Sequence, residues 1–183
     1  MIELIKGEKI EMLITEEQIK KRVAELAAEI AQDFGDKPVT LLCTLKGAMF
    51  FLADLARGLG ANVEIDFIKA SSYGNRTKSD GVVQLEHFPG TILAGRHVVL
   101  VEDIVDSGYT VSYLRKYITE QGPASLKLCS LLDKPNRREV HGIKTDYLGF
   151  TIPDEFVVGY GLDYSQRYRN LPYIGILHFI KED

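Results

Sequence analysis

The apolar residues of this sequence follow two patterns, helical spacing and short continuous runs. The first helical pattern follows residues 15–18 (Thr-Glu-Glu-Gln), which have the form of a capping box. Apolar residues then recur every three or four positions until Gly35, namely Ile19, Val23, Leu26, Ala27 and Ile30. This spacing predicts a helix with one buried face.

Short apolar runs bounded by glycine or proline predict buried strands. The run at 39–45 lies between Pro38 and Gly47 and precedes a helical stretch at 48–59. The same order recurs downstream, with strands predicted at 63–68, 98–101 and 126–132 and a helix at 111–120. Strands that alternate with helices indicate right-handed βαβ units. The predicted fold class is therefore α/β, with a mostly parallel sheet covered on both faces.

Two further segments differ from this pattern. Residues 70–80 are polar and aperiodic, which predicts a mobile loop, and residues 82–87 alternate like a hairpin or an edge strand. The tail after Pro153 is rich in Tyr, Arg and Gly, and we expect it to cap the sheet. Because no shift in composition marks a boundary, one domain is predicted over residues 1–183.

Composition narrows the functional classes. A formal net charge of -4 argues against a nucleic-acid binder, which needs a basic surface. No apolar run approaches the roughly 20 residues that span a bilayer, so no membrane association and a cytoplasmic location are expected. Cys43 and Cys129 lie in apolar runs and are predicted to pack in the core. The histidines lack metal-ligand spacing, and we assign them no role.

The segment 98–110 carries the strongest chemical pattern, because two carboxylates, Glu102 and Asp103, follow an apolar strand. Adjacent residues of a strand point to opposite sides, so the pair suits diol hydroxyls or a nearby Mg²⁺ better than paired acid–base work. The following loop, made by Asp106, Ser107, Gly108 and Thr110, can surround a phosphate with amides and hydroxyls at a helix N-terminus. The alternative is that these residues merely cap a helix and mark the solvated end of a strand.

Taken together, residues 98–110 resemble the phosphoribosyl-pyrophosphate signature of the type I phosphoribosyltransferases. That signature is four apolar residues, two acidic, two apolar, Asp, a hydroxyl residue, Gly, any residue and Thr. The resemblance implies a twisted, mostly parallel sheet flanked by helices, with a small hood from the terminal segments. It also implies a donor-binding set of Glu102, Asp103, Asp106, Ser107, Gly108, Tyr109 and Thr110.

From about residue 41 to residue 170 the chain resembles the hypoxanthine-guanine phosphoribosyltransferases in particular. Lys46 and Gly47 match that family's pyrophosphate loop, although Ala48 stands where a second glycine is common. Ser72 and Tyr73 match the lid over the reaction centre. Taken alone, these segments would be a surface lysine, a helix-entry glycine and an ordinary loop.

The same resemblance extends to a purine pocket. Lys134 matches the donor to the purine O6, Phe156 the stacking ring, and Val157 the backbone that meets the Watson–Crick edge. Asp163 belongs to this pocket and would also reach a second Mg²⁺, while Arg169 matches an arginine on the pyrophosphate side. A buried ammonium prefers a carbonyl acceptor, which favours 6-oxopurines over adenine. The alternatives are a solvated lysine, a core aromatic ring and a turn aspartate.

The resemblance implies an enzyme of purine salvage. It would transfer the phosphoribosyl group from phosphoribosyl pyrophosphate to hypoxanthine or guanine, giving IMP or GMP and pyrophosphate. Mg²⁺ would lie near Glu102, Asp103 and Asp163, Asp106 would accept the N7 proton, and the enzyme would be a homodimer or homotetramer. Two alternatives are a non-catalytic regulator that senses nucleotides and binds RNA, and a plain doubly wound nucleotide or receiver domain. An adenine or pyrimidine transferase would share the donor loop but lack Lys134 with Phe156.

Overall fold

A computed structural model describes residues 7–72, 83–87 and 92–180, with the backbone alone for 70–72 and 83–87. The helices are α1 (Glu16–Phe34), α2 (Met49–Gly58) and α3 (Tyr109–Glu120), with a 3₁₀ turn at Pro135–Arg137. The strands are β1 (Glu8–Ile14), β2 (Val39–Leu45), β3 (Val63–Ser72), β4 (Val83–His87), β5 (His97–Val105), β6 (Ser125–Asp133), β7 (Tyr147–Thr151), β8 (Val157–Val158) and β9 (Ile174–Phe179).

The larger sheet has the strand order β4-β3-β2-β5-β6-β7. All neighbouring strands in it are parallel except β3 and β4, which pair antiparallel at one edge. The predicted α/β class with a mostly parallel sheet is confirmed, and the edge strand predicted at 82–87 corresponds to β4. The alternating pattern did not predict β7, because this short edge strand is only partly buried and lacks a continuous apolar run.

A second, smaller sheet forms the hood that the family resemblance implied. In it, β9 lies between β1 and β8 and pairs antiparallel with both strands. The hood therefore combines the segment before α1 with the segment after β7. Among the described residues, no helix is long and apolar enough to cross a membrane.

The first helix begins and ends where the sequence predicted. The Thr15 hydroxyl accepts a hydrogen bond from the Gln18 N–H at 3.2 Å, and the Thr15 N–H donates to Gln18 Oε1 at 2.8 Å, which completes the capping box. The helix ends at Gly35, whose φ of 55° lies in the left-handed region. One face is buried, formed by Ile19, Val23, Leu26, Ala27, Ile30 and Phe34.

Helices cover both faces of the larger sheet. Residues of α1 and α2 pack with alternate residues of the central strands, such as Leu41 and Val99, whereas α3 packs on the opposite face with Leu42 and Leu100. Cys43 and Cys129 are fully buried and free, as predicted. Burial raises the pKa of Cys43 to about 12 and raises the pKa of the Cys129 thiol further. Neither thiol is therefore a nucleophile at neutral pH.

Strand β5 is longer than the apolar run predicted. It continues through Glu102 and Asp103 to Val105, and Glu102 pairs in register with Ser130 of β6. Glu102 is only 3% exposed, so the interpretation of the carboxylate pair as the solvated end of a strand is wrong for this residue. A buried carboxylate in the middle of a sheet costs stability, which points to a functional reason for its presence.

Candidate active site

A polar cavity of about 310 Å³ lies at the carboxyl ends of β2 and β5. In open α/β sheets this edge is the usual place for ligands, because successive loops converge there. The cavity is bordered by three groups of residues. They lie around the end of β2, around the end of β5, and between β8 and β9. These are Thr44, Leu45, Lys46 and Gly47; Glu102, Asp103, Ile104, Asp106, Ser107, Gly108, Thr110 and Val111; and Asp163 and Arg169.

The loop between β5 and α3 is shaped by Gly108. This glycine has a φ of 94°, precedes the first residue of α3, and would overlap Ile143 if it carried a Cβ atom. No side chain caps α3, so the N–H groups of its first turn remain available to an anion. The Ser107, Gly108 and Thr110 positions all border the cavity. The loop thus has the geometry of a phosphate cradle.

Glu102 and Asp103 bring buried negative charge to this cavity. Burial, together with the charge of Asp103, raises the pKa of Glu102, and burial also raises the pKa of Asp103. The guanidinium of Arg169 partly offsets the rise in the pKa of Asp103. Glu102 Oε1 has no hydrogen-bond partner among the described residues, whereas Asp103 Oδ1 accepts from the Ile104 N–H at 2.8 Å. The site therefore contains a buried carboxylate oxygen that has no hydrogen-bond partner in the described part of the chain.

Asp103 also lies directly against the loop after β2. A Cβ atom on Gly47 would overlap the Asp103 carboxylate, so only glycine allows this approach without displacing the acid. The peptide bond between Leu45 and Lys46 is cis. The Lys46 ammonium reaches Gln166 Oε1 at 3.4 Å and contributes positive charge on this side of the cavity.

Arg169 is fixed by several acceptors. Its Nη2 atom lies 2.7 Å from Asp163 Oδ1, and its Nη1 donates to the Gly161 carbonyl oxygen at 2.7 Å. The Gln166 N–H donates to Asp163 Oδ2 at 2.8 Å, and Arg169 Nη2 donates to Gln166 Oε1 at 3.3 Å. Gln166, which the sequence did not single out, therefore links the lysine and the arginine of this cavity. Its left-handed φ of 66° is a feature that a single sequence does not reveal.

A second cavity, of about 440 Å³, adjoins the first. Lys134 is only 6% exposed, and its ammonium donates to the Glu155 carbonyl oxygen at 2.7 Å, so the alternative of a solvated lysine is wrong. Phe156 is 50% exposed and meets Tyr164 edge-on at 5.9 Å between ring centroids, so it is not a core aromatic residue. This cavity offers a buried cation and an exposed ring face, which suit a planar polar ligand.

The two cavities share one border, formed by Asp103, Ile104, Asp106 and Asp163. Ligands bound in the two cavities would therefore meet beside these carboxylates. Arg137 approaches one of the residues on this border. Its Nε atom lies 3.1 Å from Oδ1 of Asp106. Arg137 is the last residue of the 3₁₀ turn that begins at Pro135, and no motif surrounds it, so the sequence alone did not identify it.

Most of the predicted site residues line one of these cavities. Lys46, Gly47, Glu102, Asp103, Asp106, Ser107, Gly108, Thr110 and Arg169 border the first, and Lys134, Phe156, Val157 and Asp163 border the second. Tyr109 differs, since its side chain is exposed and its hydroxyl donates to Glu139 Oε2 at 3.1 Å. Ser72 is described by its backbone alone, at the end of β3, and Tyr73 lies outside the described residues.

The described residues contain no group of three or more His, Cys, Asp or Glu side chains arranged to hold a metal ion by themselves. The unpartnered Glu102 oxygen, Asp103 and Asp163 nevertheless present hard oxygen ligands beside the cavities. These residues fit an ion that takes most of its ligands from a bound substrate. They do not fit a resident structural metal.

Comparison with known proteins identifies the family. Residues 10–165 match the model of the phosphoribosyl transferase domain. The chain is 48% identical over 166 residues to a hypoxanthine-guanine phosphoribosyltransferase of Bacillus subtilis, covering 91% of this chain and 92% of the relative. It is 44% identical over 175 residues to a hypoxanthine phosphoribosyltransferase of Escherichia coli K12, covering 94% and 98%.

A solved structure gives the same result. The crystal structure of a hypoxanthine-guanine phosphoribosyltransferase from Bacillus anthracis superposes with a TM-score of 0.86 at 43% identity, over 93% of this chain and 99% of that one. The family model, the relatives and the solved structure agree over most of the chain. The protein therefore belongs to the phosphoribosyltransferase family and, within it, to the hypoxanthine-guanine phosphoribosyltransferases.

Proposed function

We propose that this protein transfers the 5-phosphoribosyl group of phosphoribosyl pyrophosphate to hypoxanthine or guanine, forming IMP or GMP and pyrophosphate in purine salvage. The observation that carries this proposal is the shared border of the two cavities. A cavity with a phosphate cradle and cations meets a cavity with a buried ammonium and an exposed ring, beside Asp103, Asp106 and Asp163. The names of the matched relatives support the same activity.

The first cavity is assigned to the donor. Ser107, Gly108 and Thr110, with the first amides of α3, would hold the 5-phosphate, and the backbone of Tyr109 would contribute to this loop. Lys46, the Gly47 amide and Arg169 would hold the pyrophosphate. Glu102 and Asp103 would accept hydrogen bonds from the ribose hydroxyls. We keep Ser72 and Tyr73 as predicted lid residues.

The second cavity is assigned to the base. The Lys134 ammonium would donate to O6, and Phe156 would stack on the purine plane. The backbone of Val157 would meet the Watson–Crick edge, with Asp163 nearby. Adenine presents an amino group where these substrates present O6, so two donors would face each other and the base would be rejected.

Phosphoribosyltransferases generally use a divalent metal ion, and we propose Mg²⁺ for this chain. Asp163 would be the direct ligand on one side, with Glu102 and Asp103 near the ribose side. When bound, Mg²⁺ would neutralise the diphosphate and help it to leave.

Asp106 is the proposed proton acceptor. As the bond forms at N9, positive charge develops on the purine, and the Asp106 carboxylate would take the proton from N7. Its place on the border of both cavities supports this role, because the same loop would hold the donor's phosphate. Closure of the predicted lid would keep water from the reacting anomeric carbon.

We further infer that residues 1–183 act as one phosphoribosyltransferase domain, without nucleic-acid or membrane partners, and that the protein forms a homodimer or homotetramer. The cytoplasmic location stays a prediction from the sequence. The matched relatives give no support to the non-catalytic regulator.

The test is steady-state nucleotide formation from phosphoribosyl pyrophosphate and Mg²⁺ with hypoxanthine, guanine, xanthine or adenine supplied separately. We expect turnover of hypoxanthine and guanine and no turnover of adenine. Equal turnover of adenine would contradict the assignment of Lys134. If the protein binds the donor but forms no nucleotide with any of the four bases, the proposed activity is overturned in favour of a nucleotide-sensing regulator.

A further inference from the structure

Arg137 borders the second cavity beside the carboxylate of Asp106. Its Nε atom lies 3.1 Å from Asp106 Oδ1, but this oxygen has no aligned hydrogen bond among the described residues. Oδ1 is shielded from solvent although 42% of the Asp106 side chain is exposed. Charge attraction to one guanidinium, rather than a hydrogen bond from its own loop, therefore holds this oxygen in place.

The backbone fixes the segment that carries this guanidinium against the loop that carries the carboxylate. The Lys134 N–H donates to the Val105 carbonyl oxygen at 3.0 Å, and the N–H groups of Glu139 and Val140 both donate to the Ser107 carbonyl oxygen at 3.0 Å. The two segments are thus joined on both sides of the ion pair. The backbone is consequently fixed on both sides of the pair, so its two side chains, which are 54% and 42% exposed, extend from anchored positions.

The guanidinium also connects Asp106 to the rest of the purine cavity. Arg137 Nη1 donates to Asp154 Oδ1 at 3.4 Å, and the same Asp154 oxygen lies 4.0 Å from the Lys134 ammonium. Alternating charges therefore run along the cavity wall from the proposed proton acceptor to the proposed O6 donor. Arg137 is the link between the two, and it does not border the donor cavity.

We propose that Arg137 is a positioning residue for phosphoribosyl transfer, which holds the Asp106 carboxylate toward the purine cavity so that N7 of the base meets an oxygen already oriented to accept its proton. This inference rests on the proposed function. Without the guanidinium, the Asp106 side chain is free to rotate away from the base, and the proton transfer becomes slower. The donor site keeps all its ligands.

The experiment compares kcat and the KM of each substrate for wild type, Arg137→Ala, Arg137→Lys, Asp106→Asn and the double variant Arg137→Ala/Asp106→Asn, with hypoxanthine as the base. For Arg137→Ala we expect kcat to fall about tenfold and the donor KM to change less than about twofold. Arg137→Lys keeps the charge and should recover part of kcat. The double variant should be no slower than Asp106→Asn, because Arg137 acts through that residue.

Arg115→Ala is the matched control, since the Arg115 guanidinium binds the Lys144 carbonyl oxygen at 3.0 Å outside both cavities, and it should retain wild-type kinetics. The inference alone is overturned if wild type is active but the losses of the two single variants multiply in the double variant. A rise in kcat in Arg137→Ala, or a rise in the donor KM alone, overturns it as well. If the wild-type protein is inactive with every base, the proposed function and this inference are overturned together.

Discussion

The ammonium of Lys134 donates a hydrogen bond of 2.7 Å to the Glu155 carbonyl oxygen, immediately before the exposed ring of Phe156. This bond aims a buried cation along the wall of the second cavity. It also leaves other ammonium protons available, because a lysine carries three donors. The ammonium that we propose selects the base is therefore oriented before any base binds.

Replacing Lys134 with methionine should raise the KM for hypoxanthine and guanine by about 10-fold to 100-fold, because a hydrogen bond to a charged group contributes about 1.5–3 kcal/mol. The side-chain volume is nearly kept, so packing changes little. Steady-state kinetics with both bases measures the effect. Lys144→Met is the control, since that side chain is 81% exposed and borders neither cavity. An unchanged KM in Lys134→Met would remove the lysine from base recognition.

Asp106→Asn should lower kcat by about 10²-fold or more, because the amide cannot accept the N7 proton and general-base catalysis typically contributes about 10²–10⁴-fold. The donor KM should stay near that of wild type, since the phosphate cradle is intact. Full turnover with both substrates saturating would make the general-base role untenable.

Gly47→Ala should displace the Asp103 carboxylate and lower kcat/KM for the donor at least about tenfold. The new methyl group would occupy the position of the acid, so the loop after β2 and the acid cannot both keep their places. Gly60→Ala is the matched control, because a Cβ atom there meets nothing within 4 Å. Equal donor kinetics in Gly47→Ala and Gly60→Ala would contradict a role for the close approach of Gly47 and Asp103.

Stability should respond to pH through Glu102. Its pKa in the folded protein is raised above the ordinary value of 4.5, so the folded state binds a proton that the unfolded state releases. Stability is therefore highest below the unfolded pKa and falls as pH rises toward the folded pKa. Glu102→Gln removes this penalty and should raise the unfolding midpoint at pH 8 by about 2–4 °C for each kcal/mol gained.

The measurement for Glu102→Gln is thermal unfolding at pH 5 and pH 8 in the absence of divalent cations and substrates. The advantage over wild type should shrink at pH 5, because this pH lies close to the unfolded pKa of 4.5 and most of the loss in stability develops only as the pH rises from there toward the folded pKa. If Glu102→Gln raised the unfolding midpoint equally at both pH values, packing rather than ionisation would explain the difference from wild type.

The sequence predicted the elements whose boundaries depend on local interactions. The Thr15 capping box and Gly35 delimit α1, and Pro38 and Gly47 bracket β2, so both elements were predicted closely. Strand β5 was predicted too short because a pair of carboxylates is typical of a strand's solvated end. Only the packing of neighbouring strands makes burial of Glu102 evident.

The sequence predicted the site residues that are consecutive in the chain. It did not predict those that come together from distant segments. The loop from Asp106 to Thr110 could be identified because its residues share one turn. Arg137 and Gln166 were missed, because each acquires its partners only when separate loops meet in the folded chain. From the sequence alone, Phe156 could lie in the core or in a cavity. Its exposure in the structure decides between these alternatives.

The hood has a consequence for how base preference can change. Strand β8, which contains Val157, pairs with β9, and β9 in turn pairs with β1. The Val157 backbone, which would meet the base, is thus supported by β9 and, through it, by β1. These two strands lie before and after the proposed reaction centre in the sequence, and neither contains a recognisable motif. We therefore expect substitutions in β1 or β9 to shift the Val157 backbone, and with it the proposed base contact, while every residue of the proposed reaction centre stays the same.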